Sequence, residues 1–309
     1  MGKIYRTDDP AFDYSIFEGA SCAFGVFDGV HRGHRFLLRC AQETAAATRG
    51  VSIALTFDID PDEVFHPTRL KKLLKNENRL KALAESGVDA VVVLPFTGKF
   101  SSLSPSEFLH KTFGGRAPAC LHVGFDFHFG AYAAGTVAEL KAWGALSHTQ
   151  ICAHELKSDE GAPITATRIR QLLAATDIVE ANKLLGYPYY FEEMVLAGRG
   201  EGADMGFHTA NLNPDFAFQV LGEGVYAAYA TVDGVRYKAA VSVGVSPVFA
   251  EKSTASCEVH ILDFSGDLYG QQITVEFMEF LRPMIKFETT KALIDTVMGN
   301  IAWVRENLT

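Results

Sequence analysis

The chain lacks the features that mark several classes of protein. Cysteine is scarce, with five in 309 residues, and no two are spaced as C-x-x-C. Such a scattered, odd-numbered set argues against a disulfide framework and predicts reduced, mostly buried thiols, with a catalytic cysteine as the less common alternative. The five are Cys22, Cys40, Cys120, Cys152 and Cys257.

Long apolar runs and excess positive charge are also missing. No run is long enough to span a bilayer, and the first residues lack the apolar segment of a signal peptide, so we expect a cytoplasmic protein. The net charge of -9 argues against broad binding to nucleic acid or to an anionic membrane. With 48% hydrophobic residues over 309 positions, the chain should fold into two ordered domains, while its oligomeric state stays open.

One basic cluster stands out against this acidic background. It lies before and along a predicted helix, and leucines supply the apolar side of that helix. We interpret it as a solvated outer face, because charged residues usually lie at the surface. The cluster consists of Lys71, Lys72, Lys75, Arg79 and Lys81.

The two common phosphate-binding loops, G-x-x-x-x-G-K-[ST] and G-x-G-x-x-G, are absent, yet another phosphate-handling turn is present. The sequence G-V-F-D-G-V-H-R-G-H at 25–34 joins a predicted strand, 22–27, to a helical pattern. Glycines allow close approach to a ligand, and a helix N-terminus attracts anions. His31 and His34 are three residues apart, so both can face one phosphate chain. The alternative is a pair of ordinary surface histidines.

Strands and helices alternate through the first half, which predicts a parallel sheet with right-handed crossovers and a ligand site beyond the carboxyl ends of its strands. The predicted strands are 22–27, 52–57, 90–94, 120–123 and 150–154, and the predicted helices are 36–47, 76–86, 105–112, 136–143, 167–174 and 178–184.

The pattern changes at Gly186-Tyr187-Pro188 to short alternating runs, which predict an antiparallel barrel. Asp233-Gly234 is a hairpin signal between two runs, and an amphipathic helix should close the chain at 290–306. The predicted barrel strands are 216–220, 225–231, 237–243, 257–262 and 273–277.

A second phosphate-binding segment is I-T-A-T-R-I-R at 164–170. Thr165 can cap a helix that starts there, which places Arg168 and Arg170 in its first turn. The helix dipole disfavours cations at that position, so the arginines favour an anion at the same corner. Together with His31 and His34 they would form a clamp for a triphosphate.

In their order and spacing, these motifs resemble the bifunctional prokaryotic riboflavin kinase/FAD synthetases. Also similar are V-G-F-D-F-H-F-G at 123–130 and the segment at 95–108. The resemblance implies an α/β plus all-β architecture: a Rossmann-like nucleotidyltransferase domain with a parallel sheet over 1–185, and a riboflavin-kinase-type antiparallel β-barrel with a C-terminal helix over 186–309. The first domain would transfer the adenylyl group of ATP to FMN and release pyrophosphate.

The resemblance also implies roles for particular residues. His31 and His34 would hold the ATP phosphates and stabilise charge on the transferring group, Arg170 and Thr167 would grip the phosphate tail, and Mg²⁺ would neutralise pyrophosphate. Other nucleotide-binding positions would be Gly25, Phe27, Asp28, Gly29, Gly33, Asp126, Thr165 and Arg168. The chain departs from the family pattern at three positions, where Asp60 replaces histidine, His128 replaces arginine and Ala166 replaces serine. A carboxylate near a triphosphate repels it unless a metal ion lies between them.

In the second half, G-F-H-T-A-N-L at 206–212 resembles the riboflavin kinase motif G-F-P-T-A-N-L. The resemblance implies that Gly206 helps to bind ATP, that Thr209 and Asn211 bind Mg²⁺ and phosphates, and that Glu258 takes the proton of the ribityl 5′-hydroxyl. The segment before this motif is acidic where the family is basic, with Glu201 and Asp204, and Ser246 also departs from the pattern.

We therefore predict a bifunctional transferase with riboflavin, FMN, ATP and FAD as its ligands. The alternative is a monofunctional FAD synthetase whose barrel is a weak or inactive flavin-binding module. A nucleotidyltransferase with another acceptor and a regulatory flavin-binding protein are more distant alternatives.

Overall fold

A computed structural model describes residues 1–65, 71–196, 209–212, 220–244 and 256–308. The chain forms two compact units, Met1–Ala166 and Thr167–Thr309. The helical stretches predicted at 167–174 and 178–184 thus belong to the second unit. The predicted domain boundary after residue 185 stays a prediction.

The first unit is built on a six-stranded parallel sheet with strand order β1-β4-β3-β2-β5-β6. Its inner strands are buried along their whole length, as expected for a sheet with both faces covered. The predicted α/β class is confirmed. The strands are β1 Lys3–Arg6, β2 Ser21–Phe24, β3 Ser52–Phe57, β4 Ala90–Leu94, β5 Cys120–Gly124 and β6 Gln150–His154.

Helices connect these strands, and several begin at clear capping residues. Ser104 and Glu107 form a reciprocal capping box at the start of α5, and Thr136 and Glu139 do the same for α6. A two-stranded ribbon, β7 Ser158–Asp159 and β8 Ala162–Pro163, ends the unit. The helices are α1 Arg32–Thr48, α2 Pro61–Phe65, α3 Asn76–Ala84, α4 Gly98–Ser101, α5 Pro105–Phe113 and α6 Val137–Ser147.

The prediction around the glycine turn is wrong in its boundaries. Strand β2 ends at Phe24 rather than at 27, because Phe27 takes a left-handed backbone conformation with φ 60°. Helix α1 begins at Arg32 instead of Phe36, because His31 accepts a hydrogen bond from the backbone N–H of His34 and so caps the helix. The connection therefore covers residues 25–31, and the earlier start of α1 places His31 at its N-cap and His34 in its first turn.

The second unit contains α7 Ala166–Ala174, whose first residue ends the first unit, and α8 Ile178–Leu185, followed by a closed antiparallel barrel. The barrel order is β10-β13-β12-β11-β14-β9, which confirms the predicted barrel. Its strands are β9 Tyr190–Leu196, β10 Ala210–Leu212, β11 Gly224–Val232, β12 Val235–Gly244, β13 Ser256–Ile261 and β14 Gln272–Arg282.

Two details of the barrel were predicted correctly. Asp233 and Gly234 have φ values of 48° and 79°, as a two-residue type I′ hairpin between β11 and β12 requires. The final helix, α9 Thr290–Asn307, packs Ile301 and Val304 against Tyr229 of β11. Of the strand predicted at 216–220, residues 216–219 lie outside the described residues.

Within the part of the chain that the structure describes, no helix has both the length and the apolar character needed to cross a membrane.

Candidate active sites

The glycine turn lies at the carboxyl end of β2, in the middle of the parallel sheet. A single 3-10 turn, Asp28–Val30, links β2 to α1, and Gly29 within it has φ +73°. A Cβ on Gly29 would lie 2.6 Å from Cδ1 of Leu73, and a Cβ on Gly33 would lie 3.1 Å from the ring of His31. Gly29 is therefore required for close packing against Leu73, and Gly33 leaves room for the His31 ring, while close approach of a ligand stays a prediction.

His31 and His34 form a stacked pair at this turn. Their ring centroids are 3.6 Å apart with an interplanar angle of 19°. Nδ1 of His31 accepts a hydrogen bond from the backbone N–H of His34 at 3.4 Å, which places the proton of a neutral His31 on Nε2. The ring of Phe27 meets His34 edge-on at 5.3 Å. The pair therefore has a defined orientation at the positive end of α1.

His34 is held in its neutral form. Burial lowers its pKa well below the ordinary value, and the positive charges of His31 and Arg79 lower it further. Its Nδ1 is buried and has no hydrogen-bond partner within the described protein. A buried polar atom without a partner is costly, and a bound anion would both satisfy this nitrogen and favour its protonation.

Phe27 and Asp28, both predicted to bind nucleotide, are turned into the protein. Phe27 is buried beneath His34, and Asp28 is only 4% exposed. The Asp28 carboxylate accepts hydrogen bonds from the backbone N–H groups of Leu73 and Leu74 at 3.1 to 3.3 Å. These two residues thus hold the turn against the segment that precedes α3.

The prediction of a solvated basic face is wrong for two of its members, Arg79 and Lys72, which are 0% and 1% exposed. Arg79 donates hydrogen bonds of 2.8 Å to the carbonyls of Val26 and Phe57 and to the hydroxyl of Thr56. Its guanidinium therefore ties together the carboxyl ends of β2 and β3. Arg79 is four residues before Leu83 on α3, so its place on the apolar side of the helix was a signal in the sequence.

Asp60 and Lys72 belong to the same buried polar cluster. Asp60 accepts from the N–H of Asp62 at 3.0 Å, and Glu63 accepts from the N–H of Asp60 at 3.0 Å, which makes a capping box for α2. The Lys72 ammonium group donates hydrogen bonds to the side chains of both Glu63 and Asn76. Burial raises the pKa of Asp60, and the nearby charge of Asp28 raises it further. The hydrogen bonds to α2 give Asp60 a local role as a helix cap at the position where the family has histidine.

Asp126 lies at the same edge of the sheet as the glycine turn, because β5 is the direct neighbour of β2. It is exposed and follows β5 by two residues, and its backbone carbonyl is 2.7 Å from Nδ1 of His128. Gly124 allows the approach, since a Cβ there would lie 2.7 Å from the Asp126 carboxylate. Asp126 is therefore available to a ligand at that edge.

The I-T-A-T-R-I-R segment begins α7 as predicted. The helix starts at Ala166, so Thr165 immediately precedes it, and Thr167, Arg168 and Arg170 occupy its first turns. Arg168 forms an ion pair with Glu180 of α8, with 3.3 Å between Nη2 and Oε1. This ion pair connects Arg168 of α7 to α8.

The barrel brings Asn211 and Glu258 face to face, although 46 residues separate them in the chain. They are direct cross-strand partners on β10 and β13, and Ser242 of β12 is the next partner in the same row. All three alternate with buried neighbours, so they lie on the outer face of the barrel. Thr209 lies two residues before Asn211, immediately before β10 begins.

This row combines hydroxyl, amide and carboxylate oxygens, the ligand types that suit Mg²⁺. Gly206, also predicted for this site, lies outside the described residues, as do His208, Ser246 and the acidic segment with Glu201 and Asp204.

Comparisons with known proteins divide the chain close to the boundary between the two compact units. Residues 14–168 match the FAD synthetase family, and residues 185–308 match the riboflavin kinase family. The glycine turn and the histidine pair lie in the first match, and Asn211 and Glu258 lie in the second.

Curated relatives match both halves together. The bifunctional riboflavin kinase/FMN adenylyltransferases of Listeria monocytogenes and Escherichia coli K12 are each 33% identical to the chain, over 88% and 94% of its length and 87% and 92% of theirs. A solved Streptococcus pneumoniae structure, described as a macrolide-efflux protein, has a TM-score of 0.86 at 28% identity and covers 98% of this chain and 99% of that one. The chain belongs to the bifunctional riboflavin kinase/FMN adenylyltransferase family.

Proposed function

We propose that the chain phosphorylates riboflavin to FMN in its second unit and adenylylates FMN to FAD in its first. Support comes from family membership over both halves and from the two sites described above. The observation that carries the proposal is the stacked histidine pair at the start of α1, where Nδ1 of His34 is buried and has no hydrogen-bond partner among the described residues. The cytoplasm, where ATP is present and thiols stay reduced, would suit the five free cysteines.

In the adenylyl transfer, an oxygen of the FMN phosphate attacks the α-phosphorus of ATP, and the bond from that phosphorus to the bridging oxygen of pyrophosphate breaks. No covalent enzyme intermediate is needed, so the protein contributes position and charge stabilisation. Nε2–H of His31 donates to a phosphate oxygen, and His34 gains a proton as the phosphates approach. Asp126 contributes to binding of the nucleotide or flavin. The roles of Thr167 and Arg170, which belong to the second unit, stay predictions from the family resemblance.

In the kinase reaction, the ribityl 5′-hydroxyl attacks the γ-phosphorus of ATP, and ADP leaves. Glu258 takes the hydroxyl proton, which ends on its carboxylate and later passes to solvent. Asn211 lies directly opposite and orients the phosphate end of ATP together with Thr209. The side-chain oxygen atoms of Asn211 and Thr209 are suitable ligands for Mg²⁺. When bound, Mg²⁺ would neutralise the negative charge of the phosphates.

The alternative, a monofunctional FAD synthetase with an inactive barrel, predicts the same first reaction and no second. The cross-strand pairing of Asn211 with Glu258 favours the bifunctional proposal, because an inactive barrel has no need to keep an amide and a carboxylate opposite each other.

The test is a direct assay of both steps. The purified chain is incubated with Mg-ATP and either riboflavin or FMN, and the flavins are separated by chromatography. FAD from FMN, and both FMN and FAD from riboflavin, are expected. Conversion of FMN without any turnover of riboflavin would overturn the kinase half, and absence of FAD from supplied FMN would overturn the proposal as a whole.

A further inference from the structure

A second cluster of reactive side chains lies on the parallel sheet, away from the glycine turn. Strand β5 carries C-L-H at 120–122, and β6 carries C-A-H at 152–154. Because side chains alternate along a strand, each cysteine shares a face with the histidine two residues later. The parallel register pairs His122 directly with Cys152, so all four groups meet on one face.

The atoms of this cluster are close enough to share one ion. Sγ of Cys120 is 3.6 Å from Sγ of Cys152 and 3.3 Å from Nε2 of His122. A tetrahedral zinc site with Zn–S of about 2.3 Å and Zn–N of about 2.0 Å places its sulfur atoms about 3.8 Å apart and its sulfur and nitrogen atoms about 3.5 Å apart. The observed separations therefore need adjustments of only a few tenths of an ångström.

Helix α1 covers the cluster and brings a third thiol. Ligand atoms of Cys40, His122 and His154 lie within 4.8 Å of one another, and Oγ1 of Thr44 is 3.1 Å from Nε2 of His122. Cys40 lies six residues after His34, which is about 9 Å along the helix axis. The cluster is therefore separate from the phosphate-handling turn.

His154 is placed to orient the central imidazole. Its Nε2 is 2.9 Å from Nδ1 of His122, on the side of the ring opposite to the thiol of Cys120. A ligating histidine normally uses its second ring nitrogen in such a hydrogen bond. With the Nδ1 proton directed to His154, the Nε2 lone pair of His122 points toward the thiol of Cys120.

We propose that Cys120, Cys152 and His122 bind one thiophilic metal ion of the Zn²⁺ type, with water as the fourth ligand and His154 holding His122 in position. Metal binding replaces each ligating thiol proton by the metal ion, and those protons pass to solvent. Since the protein ligands come from β5 and β6, the ion would tie together two neighbouring strands of the first unit and stabilise its fold. This role is independent of the proposed flavin chemistry.

The test uses the full chain, reduced and freed of metal with a chelator. Zn²⁺ is titrated against a chromophoric competitor, and Co²⁺ is added separately to look for thiolate-to-cobalt charge-transfer bands. We expect uptake of a single ion, a cobalt spectrum with thiolate bands, and a Zn²⁺-dependent rise in melting temperature. No uptake by the reduced wild-type chain would overturn the proposal.

A measurement on the wild-type chain avoids any variant that fails to fold. Zn²⁺ should slow alkylation of Cys120 and Cys152, as mapped by mass spectrometry, while the same concentration of Mg²⁺ should not. Equal alkylation with and without Zn²⁺, or a Cys120–Cys152 disulfide whose reduction restores no metal uptake, would contradict the site.

Variants then assign the ligands. Cys120→Ser and Cys152→Ser should abolish the thiolate bands, and His154→Gln should weaken Zn²⁺ binding by about 10- to 100-fold. Cys257→Ser is the matched control, because it removes a buried thiol from the second unit and should leave binding unchanged. Unchanged binding in Cys120→Ser together with Cys152→Ser would assign the metal elsewhere and overturn the proposal.

Discussion

Asn211 and Glu258 are direct cross-strand partners on β10 and β13, on the outer face of the barrel. Directly opposed residues of an antiparallel pair have Cβ atoms about 5 Å apart, so the reacting groups of two bound substrates can reach both side chains. Their position depends on barrel closure, because β10 has only three residues and is held between β9 and β13.

Glu258→Gln should lower the rate of riboflavin phosphorylation by about 10²- to 10⁴-fold, because the amide keeps the size of the side chain but cannot accept the proton. FAD formation from supplied FMN should be unchanged, as followed by chromatography of the flavins. Glu279→Gln, at an exposed position of β14, is the matched control and should keep both activities. Normal phosphorylation by Glu258→Gln would remove that residue from the reaction.

His31→Ala and His34→Ala should each lower FAD formation from FMN by at least about 10²-fold, since each removes a group that stabilises phosphate charge. Formation of FMN from riboflavin should persist in both variants. His110→Ala, an exposed histidine of α5, should behave like the wild type. Parallel loss of both activities in the two site variants would mean that the turn does not act in adenylyl transfer alone.

The free energy of unfolding should depend on His34 in mild acid. Its pKa is lowered in the folded chain, so below about pH 6.5 the unfolded chain binds a proton that the folded chain does not. Stability from neutral His34 is therefore present above that pH and is lost as the pH falls. Urea unfolding at pH 7.5 and 5.5 should show a smaller loss for His34→Gln than for the wild type. Equal losses in the two proteins would contradict the buried, neutral state.

Arg79→Met should destabilise the first unit by at least about 3 kcal/mol. The change removes the Arg79 donor from the Phe57 carbonyl and the Thr56 hydroxyl, at about 1 to 3 kcal/mol each, and removes one of two donors from the Val26 carbonyl. Lys81→Met, at an exposed position of the same helix, should change the free energy of unfolding by less than about 0.5 kcal/mol. Chemical denaturation measures both, and similar values for the two variants would refute the structural role of Arg79.

Local sequence patterns predicted most of the parallel sheet. The bounds of β3, β4 and β6 match the predicted 52–57, 90–94 and 150–154. Buried parallel strands are short apolar runs with turn residues at both ends, so their limits are visible in one sequence. Strand β1 was missed, because its residues K-I-Y-R lie mostly exposed at the sheet edge and carry no apolar run.

The barrel was predicted as a class but not strand by strand. The Asp233-Gly234 turn identified the β11–β12 hairpin, because a type I′ turn needs residues that tolerate positive φ. Strands β9 and β10 were missed: β10 is three residues long, and β9 contains two adjacent glutamates that interrupt the alternating pattern. Such strands form because neighbouring strands supply their hydrogen bonds.

The sequence by itself determined the two-part architecture, the glycine turn with its histidine pair, and the residue types needed for phosphate chemistry. These features depend on local spacing, such as the three-residue interval between His31 and His34. Residues at that interval are neighbours on a helix in any fold, so their proximity can be predicted without the tertiary structure. Only the tertiary structure decided that Arg79 is buried beneath the turn, that Asn211 faces Glu258, and that Cys120 meets Cys152 and His122. Each of these contacts joins segments distant in the chain, so sheet register and packing establish them and local propensity does not.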